Sequence, residues 1–169
     1  MQALELLERV RLRLDDSAEP YLWADDELLG YLSRAEAEAA VRASLLPFDT
    51  RDADPVVAPI AVVAGTREYP LDARVLRVDR AWLADTNRRL ALFGEDELDR
   101  MGPGDWESLT GTPVYGVRWA DRIRLSPIPE APGTLHASGV RLPAGELTLD
   151  GAPEIAPVFH LDLVDWALH

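Results

Sequence analysis

Three histidines and thirty carboxylates are the side chains with which this chain of 169 residues could do acid–base or metal chemistry. His136 sits in a strand-like stretch, far from His160 and His169. The latter two are nine residues apart on one predicted helix, whereas two ligands on one helical face need a spacing of three or four. There is no cysteine, which removes disulfides, thiolate zinc sites and cysteine nucleophiles. Asp49, Asp52 and Asp54 mimic the first ligands of a calcium loop but lack its glycine and closing glutamate. Asp25, Asp26 and Glu27 read as charge compensation at a helix N-terminus. No G-x-S-x-G and no phosphate-cradling glycine loop occurs. Gly102-Pro103-Gly104 lacks the spacing of a dinucleotide fingerprint, and its proline has no N–H to offer a phosphate. Inventory alone leaves a two-carboxylate hydrolase open, yet nothing singles out a pair. The expectation is no catalytic residue, no metal site and no cofactor.

Charge narrows the partners. Seventeen basic residues face 30 acidic ones, for a net charge of −13 and a pI near 4.5. A protein that grips phosphates carries a basic patch. Every basic residue is Arg, which suits bidentate anion recognition. Codon bias in a GC-rich genome, with Ala and Gly also abundant, explains it more simply. A hydrophobic content of 47% is too high for a disordered chain. No apolar run approaches the ~18 residues of a bilayer span, and the Leu/charge alternation of residues 1–14 is not that of a signal peptide. An intracellular or virion-internal protein is expected.

The elements that must position these residues fall into three blocks. Leu4, Leu7, Val10 and Leu14 predict a helix over 2–14, with Glu5 and Arg9 as an i,i+4 pair. Leu28, Leu32, Ala35, Ala39 and Leu46 predict a second over 25–46, capped by Asp25 and stopped by Pro47. A short link makes these an antiparallel hairpin. Residues 47–58 read as loop. Strands are expected over 60–64, 67–71, 75–83, 89–93, 114–119, 122–125 and 134–142, with a brief helix over 95–101 ended by Gly102-Pro103-Gly104.

A closing helix is predicted from Pro157. Phe159, Leu161, Leu163, Val164, Trp166 and Leu168 occupy most directions around its axis, and such a helix needs burial on more than one side. No capping Gly or Asn follows Leu168, which suggests a longer natural product. Among the tryptophans, Trp23 and Trp82 read as core anchors. Trp106, in a Gly/Ser/Thr-rich loop, is a candidate anchor for another subunit. The order of helices, strands and helix predicts an α+β fold. Its parts are a helical hairpin (1–50), a β-rich insertion (51–152) and a C-terminal helix (153–169) packing back on the helices.

The stretch over residues 4–46 resembles the N-terminal hairpin of phage head–tail connector proteins, also called adaptor, neck or head-completion proteins. Leu14-Asp15-Asp16, Pro20, Trp23, Asp25-Asp26-Glu27-Leu28 and Tyr31-Leu32 match its pattern, as do Ala35, Glu38, Ala39 and Arg42. Ala24 stands where Ser or Thr is usual, and Ser33 where Asn is common. Residues 75–83, 111–115 and 125–129 have the cadence of longer adaptors with a β-rich insertion. Residues 154–168 resemble the start of their C-terminal helix. The resemblance implies a structural protein without cofactor. It forms a homo-oligomeric ring, commonly of twelve copies, in the virion neck, after assembly in host cytoplasm. The ring binds the portal protein, extends the DNA channel without gripping DNA specifically, and docks tail or stopper proteins. No membrane is involved. Trp106, Phe159, Leu161, Leu163, Val164, Trp166 and Leu168 are the expected partner or subunit contacts. A virion-associated hydrolase using two opposed carboxylates is the alternative. Direct DNA binding, with a basic stripe, is a third.

Overall fold

The computed structural model describes residues 1–101 and 104–168. The chain is α+β and forms two compact units. Met1–Leu46 and Arg141–His169 make one; Pro47–Val140 make the other. The boundaries thus fall at 46/47 and 140/141, and residues 141–152, expected in the insertion, belong to the helical unit.

In the helical unit, α1 spans Ala3–Arg13 and α2 spans Asp25–Ala43. A 3-10 turn at Pro157–Phe159 leads into α4, His160–Ala167, which packs against both. The three helices share one core, with Leu6, Leu7, Val10, Leu28, Leu32, Ile155, Leu163 and Val164 at its centre. The buried stripe of α1 is Ala3, Leu6, Leu7, Val10 and Arg11. Leu4, expected inside, is 52% exposed. The helix is turned because Arg11, not Leu14, is drawn inward. Glu5 does not pair with Arg9 as predicted. Its Oε2 accepts the Gln2 backbone N–H at 3.1 Å and serves the helix start.

Asp25 is the first residue of α2 rather than its cap. Ala24 holds the cap position without a side-chain bond. The helix ends at Ala43 because Ser44 turns left-handed (φ 54°). Pro47 therefore opens a strand instead of stopping the helix.

That strand, β1 (Pro47–Asp49), lies where loop was predicted. Proline is tolerated there as the first residue of an edge strand. The other strands are β2 (Ile60–Val62), β3 (Glu68–Pro70), β4 (Val75–Leu83), β5 (Arg88–Arg89) and β6 (Ala91–Phe93). After α3 (Glu95–Met101) come β7 (Thr110–Gly111), β8 (Tyr115–Trp119), β9 (Arg122–Ser126), β10 (Ile128–Pro129) and β11 (Gly133–Arg141). Gly102 and Pro103 of the predicted helix stop lie outside the described residues.

One sheet runs β1-β11-β4-β5, with β2 also paired to β11; another runs β3-β9-β8-β6. Leu90, buried between β5 and β6, splits the single predicted strand 89–93 between the two sheets. Leu83 and Leu135 from the first sheet meet Ile123 and Leu125 from the second in one core. The short parallel pair of β7 and β10 was not anticipated, since two-residue strands carry no periodic signal.

Candidate functional site

Two polar networks fix the helical unit before any surface can be presented. The first holds the link between α1 and α2. Arg11, 6% exposed, donates from Nη1 to Asp16 Oδ2 at 2.6 Å and from Nη2 to the Trp23 carbonyl at 2.9 Å. It also pairs with Asp25, and its guanidinium lies 3.9 Å from the centre of the Tyr21 ring. Asp16 accepts the N–H groups of Leu22 (2.7 Å) and Trp23 (3.2 Å). Its pKa is pulled below the ordinary range, first by the Leu22 bond and then, against burial, by Trp23 and Arg11. Within the Leu14-Asp15-Asp16…Pro20…Trp23…Asp25 pattern, Asp16 is thus buried with Arg11 and shapes the link, with Asp25 joining from the surface. Sequence reasoning missed Arg11 because arginine inside a helical hairpin is rare unless paired.

The second network fastens the returning chain to α2. Glu36, almost fully buried, accepts the N–H groups of Glu154 and Ile155. Ser33 Oγ accepts the Leu147 N–H at 2.9 Å. Burial pushes the Glu36 carboxyl above its ordinary value of 4.5, against the pull of those two N–H groups. The hydrolase alternative calls for a buried acid of raised pKa, but this one is spent on backbone donors. A carboxyl whose folded pKa exceeds its unfolded one binds more protons folded, so stability falls as pH rises through that interval. Glu36→Gln keeps an acceptor oxygen and removes the charge. We expect it to melt above the wild type at pH 7, with the gap closing below about pH 4.5. Thermal melts at both pH values check this; a gap that is the same at both would show that the charge carries no cost.

On this frame α4 divides its side chains. His160, Leu163 and Val164 face the core. The His160 Nε2–H donates to the Ile155 carbonyl at 2.9 Å. Phe159, Leu161, Trp166 and Leu168 are 36–49% exposed, and Val158 reaches 76%. Ala39, Ala43 and Leu45 form with Ile155, Phe159, Leu163 and Trp166 an apolar groove of about 270 Å³, edged by Asp162 and Asp165. Arg42 stands 5.8 Å from the Trp166 ring centre, and Arg13 pairs with Asp165 at 3.1 Å. His169 lies outside the described residues.

Of the seven predicted contact residues, Phe159 and Trp166 line the groove on one flank of α4, and Leu161 and Leu168 are exposed on its opposite flank. Leu163 and Val164 serve the subunit's own core. Trp106, expected as an anchor for a neighbour, is 3% exposed in the β-rich unit. It packs with Leu98 and Val117, and its Nε1–H donates to Asp99 at 2.7 Å. Its loop composition hid this, because the partners come from α3 and β8. Conversely Trp82, expected as a core anchor, is only partly buried and stacks on His136. Asp49, from the calcium-like trio, is engaged by Arg51 through N–H, Nε and Nη2, which pulls its pKa down. Among the described residues no helix is long and apolar enough to cross a membrane.

The described residues form a three-helix unit interrupted by a β-rich insertion, an α+β architecture with apolar side chains exposed along its last helix. The family model described as SU10 adaptor protein matches residues 1–169, and the chain belongs to that family. Membership makes it a phage adaptor protein and a component of the virion. No curated protein matches the chain.

Proposed function

We propose that the chain is a structural head–tail adaptor that forms a ring below the portal, in the neck of the particle. The ring extends the DNA channel and docks tail or stopper proteins, and no covalent chemistry is required of it. The observation that carries this reading is the apolar groove lined by Phe159 and Trp166, with Leu161 and Leu168 also exposed on the other flank of the helix, in a member of an adaptor family. Apolar surface of this kind marks assembly contacts. The chain's −13 charge suits a wall along which DNA slides, since like charge prevents adhesion.

Phe159→Ser combined with Trp166→Ser tests the interface. The variant is expected to stay folded by circular dichroism and to lose incorporation into particles about tenfold or more. Normal incorporation would remove this helix from the contact.

A further inference from the structure

Most of the chain's 17 arginines are engaged. Among the described residues, only Arg9, Arg34, Arg80, Arg88 and Arg89 have side chains without an ion pair, hydrogen bond or ring contact. In a protein with 30 acidic residues an arginine readily finds a carboxylate. Two of the five nonetheless line one hollow of the β-rich unit, together with Arg51, Trp82 and Asn87. Arg80 and Trp82 are two apart on β4 and share a face. Arg89 is the register partner of Trp82 on β5.

The floor between them is rigid. Trp82 stacks on His136 with ring centres 5.8 Å apart and planes at 22°. His136 Nδ1 is 3.0 Å from Thr50 Oγ1, which also accepts the Ala137 N–H at 3.0 Å. Arg51, held by Asp49 at 2.7 Å, lies 4.1 Å from the Trp82 ring centre. Two guanidinium groups without an ion pair thus flank a stacked tryptophan, and Trp and Arg are the residues that dominate protein contacts.

We infer that the Arg80–Trp82–Arg89 face docks carboxylates of a second copy of this chain. This rests on the ring-forming reading above. Local charge complementarity identifies the occupant: each copy carries 30 acidic side chains, and the planar guanidinium matches a carboxylate in bidentate fashion. Nucleic acid fits less well, because Arg51 already covers the tryptophan on which a base would stack.

The chain has no lysine, so the test is direct. Arg80→Lys and Arg89→Lys, made singly, keep the charge and introduce the chain's one side-chain amine. Light- and heavy-isotope copies are mixed, alone or with portal rings, and treated with a zero-length carbodiimide. Mixed-isotope peptides joining the new amine to an Asp or Glu of another copy are expected. Oligomers in which the new amine couples only within its own chain, or not at all, overturn this assignment and leave the adaptor ring standing. Absence of any oligomer in both settings overturns the ring as well. A companion Arg80→Ser/Arg89→Ser variant should lose about tenfold or more in self-association at unchanged melting temperature; undiminished association overturns the inference. Retardation of duplex DNA at low salt by the wild type but not by this variant would assign the face to phosphates and overturn it too.

Discussion

Gly139→Val is expected to unfold the β-rich unit while the helical unit keeps its signal. Gly139 lies in β11 opposite Phe48 of β1, and β4 runs along the other side of β11. A Cβ at this position would sit 1.9 Å from the Arg77 carbonyl oxygen and 3.0 Å from the Val78 Cα. Those atoms are backbone, so no rotamer relieves the clash; the strands must separate. Overpacking that displaces backbone costs about 3 kcal/mol or more, a large part of what one small unit commands. Trp82, Trp106 and Trp119 all lie in this unit, whereas Trp23 and Trp166 lie in the helical one. Near-ultraviolet circular dichroism should therefore lose most of its amplitude while the far-ultraviolet helical signal persists. A valine variant that melts like the wild type would show that the two strands are not so closely apposed.

Leu32→Ala should do comparable damage in the other unit. Leu32 is fully buried near the middle of α2 and belongs to the core shared by all three helices. Truncation removes three buried carbons and leaves a cavity that rigid helices close only in part, at about 2–5 kcal/mol. At roughly 4–8 °C per kcal/mol for a unit of this size, the helical melt should drop by about 10 °C or more. Leu4→Ala is the internal control. Leu4 is on the outer face of α1, where substitutions cost about 0.5 kcal/mol or less. If Leu4→Ala proved the more damaging of the two, the orientation of α1 would be wrong.

That control bears on what the amino-acid order could reveal. Long periodic segments were legible: α2 begins where its acidic turn indicates, and β4 spans Val75–Leu83 as its alternation predicts. Each miss has a physical cause. The face of α1 was misjudged because Arg11 is polar by type yet inward by virtue of Asp16 and Asp25, which lie beyond the helix. Pro47 breaks a helix, but here Ser44 has already ended it, so the proline was free to start a strand. Trp82 is less buried and Trp106 more buried than expected because burial of a lone aromatic depends on strands distant in sequence. That α4 leaves apolar side chains exposed was readable, since a helix apolar in most directions cannot bury them all against one core. Which residues turn outward was not, because that depends on where α1 and α2 stand.

A last consequence follows from how the β-rich unit joins its host. The Arg141 N–H donates to the Leu46 carbonyl at 2.9 Å, and one rung further Pro47 faces Val140 in antiparallel register. The way in and the way out are thus neighbours on a single ladder. For the three helices, the whole insertion closes the chain as a tight reverse turn would, and its length adds little to the entropy they must overcome. Such a graft point lets the insertion vary in length at little entropic cost to the three helices.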